Sequence, residues 1–495
     1  MLEFMKEEAN RTHTENGAVT LASTGSECLD LFATIGALRS ADDAEIIARF
    51  IRAYTENPDT AMKLLFFARD IRGGLGERRV FRVLMNWLAF HEPGSIRKNL
   101  GYVAEYGRYD DLLSLMGSPC EADMLQVLHD QFLRDMAALE GEGSVSLLGK
   151  WLPSVNASCG DTVRMARKIA AAFHLREAEY RKALVSLRAR IRILENNLRE
   201  KDYSFDYEKQ PSRALFKYRK AFTRNDAERY QRFLAAVETG EASLHADHVT
   251  PYELVEPYLS SAWYGSECAP RAISEEEKRA LNATWASLPE YAAEENALTV
   301  IDTSGSMYCG IHPLPAAVAL SLGLYCAEHN KGVFRNHLIQ FSRHPQLIEL
   351  KGATFADRLR YAASFSEVAN TNLEAVFDLI LQTAVRHHVP QEELPSRLII
   401  ISDMEFDACV DDASADNFTN AQKKYAACGY RLPQIVFWNV ASRNRHQPVR
   451  QNQAGVALVS GVTPRLFSMV AGGSISPFHL MMEILGSERY ARIVA

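Results

Sequence analysis

One carboxylate and two hydroxyls leave the end of an apolar run at alternate positions: Asp302-Thr303-Ser304-Gly305-Ser306 follows Ala297-Leu298-Thr299-Val300-Ile301. Alternate spacing lets their oxygens converge, and an oxygen set with few charges suits a hard divalent cation such as Mg²⁺. A second loop, Asn370-Thr371-Asn372, offers a hydroxyl ahead of the helical stretch Leu373–Val385. A third segment, Leu398-Ile399-Ile400-Ile401-Ser402-Asp403, is another β-rich run ending in a carboxylate. Taken alone, Asp-x-Ser-x-Ser also fits a helix N-cap. Its place after a strand, with Thr371 and Asp403 in order behind it, favours the cation. Nothing in the set supplies a base or nucleophile for turnover, so the expected role is non-catalytic.

The elements that must position these residues change texture along the chain. From Ala297 onward, short β-branched runs alternate with helical stretches: Ala297–Asp302, Val333–Phe341, Arg397–Asp403, Pro433–Val440 and Gly455–Gly461 are interleaved with Ala316–His329, Phe355–Phe365, Leu373–Val385, Asn417–Cys428 and Pro477–Leu485. This pattern predicts an α/β, doubly wound parallel sheet with helices on both faces and ligands beyond the carboxyl ends of its strands. From Leu29 to Leu288 apolar residues recur at three and four, and Gly or Pro breaks such as Glu92-Pro93-Gly94 and Leu152-Pro153-Ser154 separate them. That half reads as an all-α array of helical repeats without a clean fixed period. Near the N-terminus, Asn16-Gly17 followed by Ala18-Val19-Thr20-Leu21 reads as a turn and a short strand. The stretch Ser266–Glu295, with its acidic run Glu275-Glu276-Glu277, marks the change, and the expected division is 1–285 and 286–495.

At 495 residues the chain is too long for one core, and 47% hydrophobic with 24% charged residues excludes a mainly disordered protein. No apolar run approaches the length of a membrane-spanning helix, and the polar, acidic start Met1–Arg11 does not read as a secretory signal. Eight scattered cysteines without a CxxC pair point to reduced thiols in a cytoplasmic protein.

The net charge of −7 hides an asymmetry. Between Arg164 and Arg232 there are 19 Lys and Arg against 9 Asp and Glu, a local +10 that leaves −17 for the rest. Such a segment is either a footprint for a polyanion such as RNA or a helical surface paired with acids elsewhere on the fold. Leu187, Ile191, Leu194 and Leu198 form one helical stripe, which would place Arg188, Arg192 and Arg199 together on a neighbouring face, able to follow phosphates. Arg213, Lys217, Arg219, Lys220, Arg224, Arg229 and Arg232 continue the basic character, interleaved with Phe216, Tyr218 and Phe222, which either stack on bases or belong to a core. Arg72 and Arg78 flank a glycine turn and serve equally as helix caps or phosphate contacts.

The Asp302–Ser306, Thr371 and Asp403 set resembles the metal-ion-dependent adhesion site of von Willebrand factor A domains, over Glu295 to the C-terminus. The resemblance implies Ser304, Ser306 and Thr371 as hydroxyl ligands, Asp302 and Asp403 bound directly or through water, and one position left for a partner's carboxylate or phosphate. In the first half, Arg69-Asp70-Ile71-Arg72-Gly73-Gly74-Leu75-Gly76-Glu77-Arg78, then Tyr106-Gly107-Arg108-Tyr109-Asp110-Asp111-Leu112-Leu113, Leu148-Gly149-Lys150-Trp151-Leu152-Pro153-Ser154 and Tyr180-Arg181-Lys182 resemble in order the TROVE module of Ro autoantigen-like proteins. The whole is closest to TROVE-like proteins with an appended A-type domain. That likeness implies a ring of HEAT-like helical repeats, and binding of small non-coding or single-stranded RNA. Arg72, Arg78, Arg181, Lys182, Arg188, Arg192, Arg199, Arg213, Lys217 and Lys220 are the candidate RNA contacts, with Mg²⁺ or another divalent cation as cofactor. A Mg²⁺-dependent protein-interaction scaffold without RNA is the alternative expectation.

Overall fold

A computed structural model of the chain describes residues 1–141, 143–247, 249–259, 272–291, 296–309, 312–341, 344–365, 371–408, 416–471 and 475–495. Asn370 and parts of the expected boundary stretch, 266–271 and 292–295, lie outside the described residues. The chain is a helical half followed by an α/β half with a largely parallel sheet.

The helices of the first half end where local chemistry ends them. Asp42 accepts a hydrogen bond from Glu45 N to cap Asp43–Glu56. Asn57 caps the next helix, Pro58–Arg69, whose first position is a proline with no N–H to satisfy. Asp43–Glu56 buries Ile46, Arg49, Phe50 and Ala53, a helical stripe with a cation in it. Arg49 is satisfied by leaving its own half: it donates to Ser442 Oγ (2.8 Å) and the Asn444 carbonyl (3.1 Å) as well as to Glu45.

A two-stranded hairpin, β1 (Arg11–His13) and β2 (Val19–Leu21), follows a first exposed helix, Leu2–Ala9, and precedes the remaining helices. The main sheet is built from β3 (Ala297–Ile301), β4 (His337–Gln340), β5 (Gln346–Glu349), β6 (Arg397–Ser402), β7 (Gln434–Asn439) and β8 (Val456–Ser460). Its order is β5-β4-β3-β6-β7-β8, all parallel except β5, which runs antiparallel to β4 on the edge. The chain winds outward from β3 through β4 to β5, then crosses back to β6. The winding therefore reverses between β3 and β6, the place where such sheets open a crevice for ligands.

Helix Pro315–His329 is apolar all round, and residues 315–327 are all buried. It lies between the sheet and helix Pro251–Val255 of the first half, so it has no solvent face to make polar. Gly323 faces β3 so closely that a Cβ there would stand 2.5 Å from Ile301 Cγ2.

The two halves share one hydrophobic cluster, which runs from Phe67 and Tyr106 to Trp438 and Tyr490. Gly36 N donates to Ser460 Oγ (3.0 Å) at the end of β8, and a Cβ on Gly36 would come within 2.4 Å of the Ser460 carbonyl oxygen. The chain termini also cross between halves. The hairpin lies on the α/β half, with Leu21 and Gln447 exchanging backbone hydrogen bonds (3.0 and 2.7 Å). The last residues return to the helical half, where Asn99 Nδ2 donates to the Val494 carbonyl and Ala495 N to Asp59. Among the described residues no helix is long and apolar enough to cross a membrane.

Candidate functional site

Register puts the two strand-end carboxylates side by side. Ile301 pairs with Ile401, so Asp302 stands level with Ser402 and Asp403 follows one residue later. Asp302 is fully buried; it accepts Ser304 N (2.8 Å) on Oδ1 and the Ser402 hydroxyl (2.5 Å) on Oδ2. Ser304 and Ser306 hydroxyls lie 3.0 Å apart, and Ser306 hydrogen-bonds Asp403. Gln340 Nε2, from the end of β4, donates to Thr303 Oγ1 (2.7 Å) and fixes the loop between them. Asp302, Ser304, Ser306 and Asp403 are thus brought together. Thr371 is buried in the adjoining loop, and its carbonyl accepts Asp407 N (3.0 Å) from the segment after Asp403. Met404 takes a left-handed backbone (φ 71°), which turns the chain sharply just after Asp403.

Electrostatics at this point are unbalanced. Burial, then the neighbouring Asp403, push Asp302 well above the ordinary carboxylate range. Burial also pushes Asp403 up, opposed by the Ser306 hydrogen bond and by Arg443. Arg443 Nη2 lies 2.9 Å from Asp403 Oδ2 and 3.1 Å from Glu15 Oε2. Glu405, also buried, receives His446 Nε2 (3.0 Å), Asn444 Nδ2 (2.8 Å) and Glu15 N (2.7 Å); despite burial these partners hold it below its usual value. Sequence reasoning missed Arg443 and Glu15. Each is hundreds or tens of residues from its partner, and no local pattern marks either.

A pH prediction follows from the raised carboxyls. An acid whose folded pKa lies above its unfolded one contributes stability below the unfolded value, and that stability is lost as pH rises through the folded value. In chelator, Asp302→Asn should match the parent protein near pH ~4 and become the more stable of the two as pH approaches neutrality, where the parent must ionise a buried carboxyl raised to about 7. Urea unfolding at three pH values checks this; equal pH profiles for the two proteins would count against the paired buried acids.

Among the described residues no group of three or more His, Cys, Asp or Glu is placed to hold a metal ion. The candidate set here is different in kind, two carboxylates completed by hydroxyls, with oxygen donors only.

The basic segment divides into engaged and free side chains. Arg188 turns inward, donating to the Gly149 carbonyl (2.8 Å), the Leu152 carbonyl (2.8 Å) and Ser154 Oγ (2.7 Å). The expected single helix also breaks. Glu177–Ile191 ends at Arg192 in a left-handed conformation (φ 54°), and Leu194–Glu200 begins anew. The aligned face of Arg188, Arg192 and Arg199 is therefore not formed. A left-handed residue redirects the chain, so the 3.6-residue phase carried through Ile191 is lost. Arg199 pairs with Glu200, Arg213 with Glu253, and Arg72 donates to the Glu105 carbonyl. Among the described residues, Arg78, Arg181, Lys182, Arg192, Lys217 and Lys220 are exposed and form no ion pair. Lys217 rests over the Tyr218 ring at 4.9 Å. Phe222 is fully buried and Phe216 nearly so, which assigns both to packing.

Comparison with known proteins gives similarity over both halves. Residues 296–476 match a family model described as a domain of unknown function, DUF7788. Residues 14–126 and 170–298 match a second domain of unknown function, DUF2828. A protein of Acanthamoeba polyphaga mimivirus, described as uncharacterized protein L728, is 27% identical over 519 residues, spanning 96% of this chain and 87% of that protein.

Proposed function

We propose that this chain is a non-catalytic RNA-binding protein, resembling Ro autoantigens, whose α/β half is a von Willebrand factor A-like domain with a divalent-cation adhesion site. The observation that carries the RNA reading is the set of exposed cations without acid partners, Arg78, Arg181, Lys182, Arg192, Lys217 and Lys220, most of them in a +10 segment of an acidic protein. The bound class is small non-coding or single-stranded RNA. The cation reading is supported by Asp302 and Asp403, buried together among Ser304 and Ser306 with the Arg443 guanidinium beside Asp403. Oxygen donors of this kind fit Mg²⁺. Asp302, Ser304, Ser306, Thr371 and Asp403 would hold it, and the bound ion would offer a Lewis-acidic position to a carboxylate or phosphate.

The test is fluorescence anisotropy of a labelled single-stranded RNA at several salt concentrations. Reversing Arg181, Lys182, Lys217 and Lys220 to Glu should weaken binding more than tenfold and flatten the salt slope, by roughly 0.7 for each phosphate no longer neutralised. Unchanged affinity would refute the assigned surface. A second reading, a Mg²⁺-dependent protein-interaction scaffold without RNA, draws on the internal pairing of Arg188, Arg199 and Arg213. It expects nucleic-acid-free capture of an acidic protein that Asp302→Ala abolishes.

A further inference from the structure

Arg443 and the N-terminal hairpin close a circuit around the candidate cation site. Arg443 follows β7 and bridges Asp403 (2.9 Å) to Glu15 (3.1 Å). Glu15 belongs to the turn between β1 and β2, and that turn is fastened to the segment immediately after Asp403. Thr14 Oγ1 donates to the Phe406 carbonyl (2.6 Å), Glu15 N to Glu405 Oε2 (2.7 Å) and Asn16 Nδ2 to the Glu405 carbonyl (2.6 Å). Asn444 Nδ2 completes the circuit by donating to both Glu15 Oε1 (3.0 Å) and Glu405 Oε1 (2.8 Å). Glu405 Oε1 also meets His446 Nε2 (3.0 Å). Three carboxylates, Asp302, Asp403 and Glu15, thus lie around the Arg443 guanidinium.

We propose that Arg443 couples the cation site to the N-terminal hairpin: a divalent ion at Asp302 and Asp403 displaces the guanidinium from Asp403 onto Glu15, so cation binding and hairpin docking strengthen each other. The physical basis is simple repulsion. A guanidinium 2.9 Å from Asp403 Oδ2 competes with a divalent ion for the charge of that carboxylate and is repelled by the ion. Glu15 is already within reach and accepts the displaced charge without a large movement. Coupling of this kind is reciprocal, so whatever lifts the hairpin also weakens the ion's hold. The inference rests on the cation reading given above.

The test uses the full chain and Mn²⁺ alone, with free Mn²⁺ read by electron paramagnetic resonance and hairpin protection read by hydrogen exchange of residues 10–21. Arg443→Gln should bind Mn²⁺ about tenfold more tightly, since a competing cation is gone. Arg443→Lys, which keeps the charge with a shorter reach, should fall between. Glu15→Gln should weaken Mn²⁺ severalfold in the parent protein and by less than twofold in the Arg443→Gln background. Mn²⁺ should slow hairpin exchange in the parent protein and leave it unchanged in Arg443→Gln. Additive effects of the two substitutions, or hairpin exchange indifferent to Mn²⁺, would overturn the coupling while leaving the cation site standing. Absence of Mn²⁺ binding, or binding undiminished in Asp302→Asn, would overturn the cation reading and the coupling together.

Discussion

Asp111→Asn should lower the unfolding free energy by about 4 kcal/mol, although it changes one oxygen for one nitrogen. Asp111 is completely buried and accepts Arg69 Nε (2.7 Å), Arg82 Nε (2.7 Å) and Arg108 N (2.9 Å). Arg69 is buried with it, so the neutral variant leaves a buried guanidinium without its carboxylate. A partnerless buried charge is the costly outcome, whatever the pair itself contributes. Asp110 is the control: it pairs with Arg82 and Arg108 nearer the surface, and Asp110→Asn should cost less than about 1 kcal/mol. Urea unfolding of both variants at low and high salt separates them, because salt screens the half-exposed pairs of Asp110 more than the buried one. If Asp111→Asn fell within about 0.5 kcal/mol of the parent, the buried network would have no energetic weight.

Asp70→Asn should cost about 3 kcal/mol and also release the C-terminal residues from the helical half. Asp70 is fully buried and takes Nε and Nη2 of Arg489, the Tyr490 hydroxyl (3.0 Å) and Arg72 N (2.9 Å). Tyr490 also packs between Phe67 and Tyr106, with ring centroids 6.0 and 5.8 Å away. Losing the carboxylate charge undoes the clamp that holds this tail. Trypsin should then cut after Arg489 and Arg492 at least tenfold faster. Asp70→Asn combined with Arg489→Met should recover part of the stability, since neither charge is then left alone. A tail as resistant to trypsin as the parent's would contradict the clamp.

These two sites show where sequence reading stops. The segments Arg69–Arg78 and Tyr106–Leu113 stand out as glycine- and arginine-rich turns, but nothing in them says that Arg69 meets Asp111 or that Asp70 waits for Arg489, some 420 residues on. Local periodicity is more informative where packing follows it. The runs at Ala297–Asp302 and Arg397–Asp403 are strands, the stretches at 316–329 and 417–428 are helices within a residue or two, and Asn16-Gly17 turns into β2. The polar edge strand β5, Gln346–Glu349, escaped because one exposed face and four residues carry too little alternation. The long basic helix escaped in the opposite sense: its apolar stripe continues in sequence past Arg192, whereas the backbone does not. Of the candidate site, Asp302, Ser304, Ser306 and Asp403 were legible because each lies next to the strand that carries it. Arg443 was not, because charge balance across a fold is a tertiary property.

The crossed termini have a practical corollary for anyone who wishes to split this protein. A cut between the halves, after helix Glu275–Ala286, would strand the hairpin on the fragment that lacks its seat, and the tail clamped by Asp70 on the fragment that lacks its socket. Each piece would carry an exposed sticky end and a vacant groove matched to the other. Co-produced pieces would thus reassemble through two reciprocal handclasps, whereas either piece expressed by itself would be prone to aggregate.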